Sequence, residues 1–144
     1  MILETFEWTR FHQGFRLFAW HPRGELDDEL ADEIIGVVES EELYQQLPFH
    51  RYADFSQLSS IRLKIGHVFQ IATQRREVDL SVKSAFFATT VVGLGIARMY
   101  ESLMKGAGIQ VRVFRERSAA AGWLGVPVEI LAPEETVGWA TPAG

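Results

Sequence analysis

The sequence contains no cysteine, and this absence excludes disulfide bonds, thiolate nucleophiles and cysteine-ligated metals. Long apolar runs are also missing, because the longest uncharged stretch, residues 84–97, is shorter than the ~20 residues that a membrane-spanning helix needs. The N-terminus lacks the basic segment and the apolar segment of a secretory signal. These absences predict a cytoplasmic protein without a membrane span.

Positive charge is scarce, since 14 Lys and Arg residues stand against 19 Asp and Glu residues, for a net charge of -5. General nucleic-acid binding depends on the release of counterions by Lys and Arg, so we expect no nucleic-acid partner. The acids concentrate between Glu25 and Glu42, a segment with no basic residue. We interpret this segment either as a solvated helix face or as a docking surface for a basic partner.

Residues with catalytic or metal-binding spacing are also absent from the sequence. The four histidines are scattered, and no H-E-x-x-H pattern or G-x-S-x-G turn occurs. We therefore predict no enzyme activity, no cofactor and no bound metal. The 144 residues, 47% of them hydrophobic, are typical of one globular domain.

The apolar residues alternate between strand and helix periods along the chain. Aromatic residues flank Gln13 and Gly14 and predict an N-terminal hairpin, and helical spacing begins near Leu26, near Leu58 and after Thr90. The predicted order is β-β-α-β-α-β-α-β-α. Strands that alternate with helices predict an α/β fold with a mixed, mostly parallel sheet of about five strands and four helices. We expect one domain over residues 1–126 and an irregular C-terminal tail over residues 127–144.

Three motifs within this order resemble a known family. They are GIARMYESL at residues 95–103, VRVFRE at 111–116 and AAGWLG at 120–125. Together they resemble the STAS-like or SpoIIAA-like family of small bacterial proteins, related in fold to anti-sigma-factor antagonists and by analogy to lipid-binding CRAL-TRIO proteins. The resemblance covers about residues 5–126. It implies a non-catalytic regulatory domain that works through protein contacts, with a carrier of a small apolar molecule or lipid as the alternative.

Three serines lie where anti-sigma-factor antagonists carry a serine that a partner kinase phosphorylates. These are Ser56, Ser59 and Ser60, which follow Asp54. The Asp-Ser-Ser-Gly signature of those proteins is missing, because Ile61 stands where its glycine would be. We interpret these serines either as phosphoswitch residues or as the N-cap of the second helix.

Two glycines precede the third predicted helix, in a manner that resembles a phosphate-binding loop. Arg98 takes the place of the third glycine of a dinucleotide fingerprint, and no Gly-Lys-Ser/Thr follows. One interpretation is close packing at Gly93 and above all at Gly95, with a threonine as the helix cap. The other is a weak anion site formed by Thr90, Gly93, Gly95 and Arg98.

The second predicted helix has a further apolar face. Leu63, His67 and Ile71 recur every four residues, away from the main apolar stripe. This face is either buried within the domain or forms a surface for a protein partner or for a second copy of the chain in a homodimer.

Overall fold

The structure, a computed structural model, describes residues 8–133. Its strands are β1 (Thr9–His12), β2 (Leu17–Trp20), β3 (Gly24–Asp27), β4 (His50–Asp54), β5 (Leu58–Arg62), β6 (Val82–Phe87) and β7 (Ile109–Phe114). Its α-helices are α1 (Asp28–Gln45), α2 (Ile65–Arg76), α3 (Val91–Leu103) and α4 (Arg117–Leu124), with 3-10 turns at Gln13–Phe15 and Val128–Leu131.

The main sheet has five strands in the order β1-β2-β4-β6-β7. The hairpin of β1 and β2 is antiparallel, and every later pair in this sheet is parallel. This topology confirms the predicted α/β class, with a mostly parallel sheet, an antiparallel hairpin at one edge and four helices.

Alternating side chains divide the core between the two faces of the main sheet. On β2, Leu17 and Ala19 pack against α4, whereas Phe18 and Trp20 pack against α1. Helices α2 and α3 cover the same face as α1, where they meet β6 and β7. The sheet is therefore buried on both faces, with three helices on one side and α4 on the other.

A second, two-stranded sheet was not predicted. Strands β3 and β5 pair in parallel outside the main sheet and lead into α1 and α2. Helix α2 begins at Ile65, so the predicted start near Leu58 is wrong. Leu58 and Ile61 contact the core from an extended strand, and their separation of three residues imitates helical spacing.

The first residues beyond position 126 pack against the domain, and most of the expected tail over residues 127–144 lies outside the described residues, so that division stays a prediction. They include the 3-10 turn Val128–Leu131, and Leu131 is fully buried beside α4 in the core. Residues 134–144, with Trp139, and residues 1–7 lie outside the described part of the chain. Within residues 8–133, no helix combines the length and the apolar character needed to cross a membrane.

Candidate functional site

A cavity of about 100 Å³ lies between the main sheet and the three helices that cover one of its faces. Its walls are mostly apolar and include Trp20 of β2, Ile34 of α1, Ile71 of α2, Phe86 of β6 and Ile96 of α3. The polar side chains in this lining are Arg51, Arg75, Ser84 and Tyr100.

Arg51 of β4 is a buried charge in the wall of the cavity, with 2% of its surface exposed. Its Nε donates to the carbonyl of Phe49 at 3.1 Å, and its Nη1 lies 2.8 Å from Oε2 of Glu42. Burial lowers the pKa of Arg51 even though Glu42 opposes this effect. The remaining nitrogen, Nη2, is the one buried side-chain N or O within residues 8–133 that makes no hydrogen bond.

Arg75 of α2 completes the charged cluster beside Arg51. It is 3% exposed and donates to both carboxylate oxygens of Glu42. Oε2 of Glu42 therefore accepts from two arginines. Glu39 is the other carboxylate near Arg75, at 3.8 Å from Nη1, but its side chain is more than half exposed.

The sequence carries a signal for this cluster in the buried stripes of α1 and α2. Val68, Ala72 and Arg75 share the buried stripe of α2, and Glu42 follows the buried Val38 by one helical turn on α1. Opposite charges on two buried stripes predict a buried ion pair. The unsatisfied Nη2 could not be predicted, because it depends on how β4 meets both helices.

Tyr100 and Ser84 bring hydroxyl groups to the same cavity. The ring of Tyr100 packs edge-on against Phe86, with 5.6 Å between centroids. Burial raises the pKa of Tyr100 to about 12, against the opposing effect of Arg75 and Arg51, so the hydroxyl stays protonated at neutral pH. Ser84 is the register partner of Arg51 on the neighbouring strand β6.

A second polar cluster lies at the carboxyl end of β4, around the fully buried Asp54. Its Oδ2 accepts from the hydroxyl of Tyr52 at 2.7 Å and from Nε of Arg117 at 2.8 Å, and its Oδ1 accepts from the backbone N–H of Ser56. Burial alone would raise the pKa of Asp54, but the hydrogen bonds from Arg117, Ser56 and Tyr52 outweigh burial and lower it.

His21 extends this second cluster toward the C-terminal 3-10 turn. Its Nε2 lies 2.8 Å from the carbonyl oxygen of Leu131, which can only accept, and 3.8 Å from Oδ2 of Asp54. Burial lowers the pKa of His21, although Leu131 and Asp54 oppose this effect. The ring is therefore neutral at pH 7, with its proton on Nε2.

The three candidate serines do not cap α2, because that helix begins at Ile65 after Lys64 without a side-chain cap. Ser59 and Ser60 lie in β5, and Oγ of Ser60 donates to Glu25. Ser56 is exposed after β4 and its Oγ accepts from Nη2 of Arg117 at 2.9 Å. The phosphoswitch interpretation stays a prediction, and the guanidinium of Arg117 makes Ser56 the residue best placed for it.

The glycine-rich stretch is a capped helix start. Thr90 is the N-cap of α3, and its Oγ1 accepts from the N–H of Gly93 at 3.0 Å, so this N–H is already used. Gly95 and Arg98 are exposed further along the helix. The expectation of close packing at Gly95 is wrong, because a Cβ at that position would meet no atom within 4 Å. The anion-site interpretation of Thr90, Gly93, Gly95 and Arg98 stays untested.

The second apolar face of α2 turns toward the domain. Leu63, which precedes the helix, and Ile71 pack against the core and line the cavity. Nε2 of His67 lies 2.7 Å from the Asp32 carboxylate of α1. These contacts favour burial over a partner surface for the three residues, because α1 already occupies this side of α2.

The acid-rich segment is largely engaged within the domain. Glu25, Asp27, Asp28, Asp32, Glu39, Glu41 and Glu42 all contact other described residues. Asp27 caps α1 by accepting from the N–H of Leu30. Within residues 8–133, no group of three or more His, Asp or Glu side chains is arranged to hold a metal ion.

Comparison with known proteins supports the fold. No family model and no curated protein matches the chain. Among solved structures, it is similar to an uncharacterized protein of the DUF3478 family, with a SpoIIAA-like fold, from Shewanella loihica PV-4. The TM-score is 0.51 and the identity is 14%, with 75% of this chain and 83% of that chain covered. The likeness concerns the fold alone: the chain has a SpoIIAA-like α/β fold.

Proposed function

We propose that this chain is a non-catalytic, cytoplasmic regulatory domain that binds a protein partner beyond the carboxyl ends of its parallel strands. The observation that carries this proposal is a group of exposed large apolar side chains near the N-terminal ends of α2 and α3. Ile65 and Phe69 are 59% and 49% exposed, and Val91 and Val92 are 87% and 56% exposed. We name these four residues the edge patch.

The positions of the two helices support a single surface. Helix α3 follows β6 directly, and α2 follows β5, which itself lies beyond the carboxyl end of β4. The two helices pack against each other. Ile65 and Phe69 are four residues apart and share one face of α2. Apolar side chains grouped at an exposed position are typical of protein contact sites.

The second polar cluster also favours a role without catalysis. Asp54 and Tyr52 have no exposed surface, and His21 is 8% exposed. A substrate could not reach the Asp54 carboxylate or the Tyr52 hydroxyl without displacing the contacts that hold β4 to α4, although the His21 ring lines a separate surface pocket of about 260 Å³. Their hydrogen bonds instead fix the end of β4 and the first residues after it.

The test compares Val91→Glu with Leu43→Glu, whose side chain is 81% exposed in the last turn of α1 and belongs to a second exposed apolar group with Tyr44 and Leu47. Each variant and the unmodified chain would serve as bait in extracts of the host, with sedimentation velocity on the purified chain to detect a second copy. We expect Val91→Glu to lose the bound protein or the self-association, because a charge on the edge patch must be desolvated on binding. Leu43→Glu should retain it.

The proposal would be wrong if the unmodified chain is monomeric and retains no protein that Val91→Glu loses. It would also be wrong if Leu43→Glu and Val91→Glu have the same effect, because the loss would then follow from added charge alone.

The cavity favours a second candidate function, the binding of a small molecule. Apolar side chains from the sheet and from three helices line it, as in ligand pockets with a few oriented polar groups. Binding of benzyl alcohol, a neutral probe, tests this function and forms part of the experiment described below.

A further inference from the structure

The cavity is too polar at one side to be only a packing defect. An engineered apolar cavity of ~150 Å³ stays dry and takes benzene. The cavity here is about 100 Å³, but it contains Arg51, whose Nη2 is buried without a hydrogen-bond partner among the described residues. A buried donor left unpaired costs about 1–3 kcal/mol, so a native fold that retains one needs an explanation.

The charges around the cavity are unevenly placed. Two guanidinium groups, of Arg51 and Arg75, share the carboxylate of Glu42, whose side chain is 15% exposed. The second carboxylate, of Glu39, lies 3.8 Å from Nη1 of Arg75 and faces solvent. Arg51 therefore has no carboxylate of its own on the cavity side, and an anion there would add one.

The remaining polar groups of the cavity are suited to the same occupant. The hydroxyl of Tyr100 is protonated and can donate, and Ser84 lies beside Arg51 in register. The other walls are hydrocarbon, which disfavours a strongly hydrated anion such as phosphate. The ring of Phe49 stacks on the guanidinium of Arg51, with 4.5 Å from Cζ to the ring centroid, and holds the group in one orientation.

We propose that the cavity binds a small organic carboxylate with an apolar body, whose carboxylate pairs with the guanidinium of Arg51 and accepts from the hydroxyl of Tyr100. The apolar body occupies the space between β6, α1 and α3. This inference rests on the second candidate function and specifies its ligand class. An aromatic acid and a short-chain fatty acid share this chemistry.

The experiment measures binding to the full chain by isothermal titration calorimetry. The probes are benzoate, hexanoate and the neutral benzyl alcohol, at pH 7. Because a hydrogen bond between two charged groups in a buried site is among the strong ones, we expect benzoate or hexanoate to bind at least about tenfold more tightly than benzyl alcohol. The acid with the higher affinity shows whether an aromatic ring or an alkyl chain fits the cavity better.

Three variants connect this preference to the named groups. Arg51→Met should remove the preference for the acid, and Tyr100→Phe, which keeps the ring and loses only the hydroxyl, should weaken the acid several-fold and leave benzyl alcohol unchanged. Arg98→Met is the matched control, because it removes the same charge from an exposed position of α3. If Arg51→Met does not fold, the comparison of Tyr100→Phe with Arg98→Met shows whether the acid binds in the cavity.

The outcomes distinguish the proposed ligand class from the proposed binding of a small molecule. Equal affinity for the acids and for benzyl alcohol would refute the carboxylate and leave the binding function in place. No binding of any probe would refute both. A preference for the acids that survives in Tyr100→Phe and falls in Arg98→Met would mean that the anion binds outside the cavity, and the inference would again be wrong.

Discussion

Gly93 and Gly95 are two residues apart in α3, but the space available for a side chain differs between the two positions. A Cβ on Gly93 would lie 2.9 Å from Oγ1 of Thr90 and 3.5 Å from Cβ of Ala88. Because Oγ1 of Thr90 is the acceptor that caps the helix, a methyl group at position 93 would push against the cap itself. At Gly95 the same methyl group would enter open space.

We predict that alanine stabilises the domain more at position 95 than at position 93. Gly95→Ala should stabilise the domain by up to ~1 kcal/mol through helix propensity. Gly93→Ala should gain little or lose stability, because displacement of the Thr90 cap costs about 1 kcal/mol. Urea denaturation of the two variants measures the difference.

A third variant isolates the cap as the cause. In a Thr90→Ala background, Gly93→Ala should become stabilising, since no cap remains to displace. A Gly93→Ala variant that is as stable as Gly95→Ala in the unmodified chain would contradict this account.

The polar cluster around Asp54 joins elements that are distant in the sequence. Asp54 ends β4, Arg117 begins α4, and His21 connects the end of β2 to the 3-10 turn at Leu131. The pKa values of Asp54 and His21 are both lowered in the folded chain. Each group therefore contributes fully to the free energy of unfolding at a pH above its pKa in the unfolded chain. This contribution is lost as the pH falls through its pKa in the folded chain.

We therefore predict that the free energy of unfolding decreases with acidification in two windows. Below pH 6.5, the unfolded chain binds protons at His21, His12 and His50 that the folded chain resists, because burial lowers the pKa of all three, and below pH 3.8 the same holds for Asp54. Asp54→Asn should cost about 2–3 kcal/mol at pH 7 and remove the lower window. Denaturation from pH 7 to pH 3 measures both effects.

Asp79→Asn, at an exposed position, is the matched control for this series. It should behave like the unmodified chain. A lower window that persists in Asp54→Asn would assign the acid sensitivity to other carboxylates.

The elements of this fold differ in how far the sequence could predict them. The main strands and helices follow from local periodicity, because buried faces repeat every two or 3.6 residues. Strands β3 and β5 are short and lie outside the main sheet, so Leu58 and Ile61 were assigned to a helix. Burial of Arg51 results from contacts with Glu42 and with helices distant in sequence, and no local pattern specifies which of its nitrogens remains unpaired.

At the scale of the whole molecule, α2 and α3 connect the two proposed sites. Val68 and Ile71 of α2 and Ile96 of α3 line the cavity, whereas Phe69 and Val92 of the same helices belong to the edge patch. A molecule in the cavity and a protein on the edge patch would contact different faces of the same two helices. Any shift of these helices on filling of the cavity would therefore reach the partner surface directly.

The cavity also makes the folded chain sensitive to hydrostatic pressure. If its volume of about 100 Å³ were empty and fully eliminated on unfolding, it would contribute at most ~60 mL/mol to the decrease in volume. We predict that Ala97→Val, which adds methyl groups at the cavity wall, makes the unfolding volume less negative, as measured by tryptophan fluorescence under pressure. Ala121→Val, buried on the opposite sheet face, should leave that volume nearly unchanged, and equal effects of both variants would contradict this assignment.

A bound carboxylate would also make the unfolding volume less negative, because it fills the same space as the added methyl groups. Pressure would therefore report occupancy of the cavity without any label on the ligand.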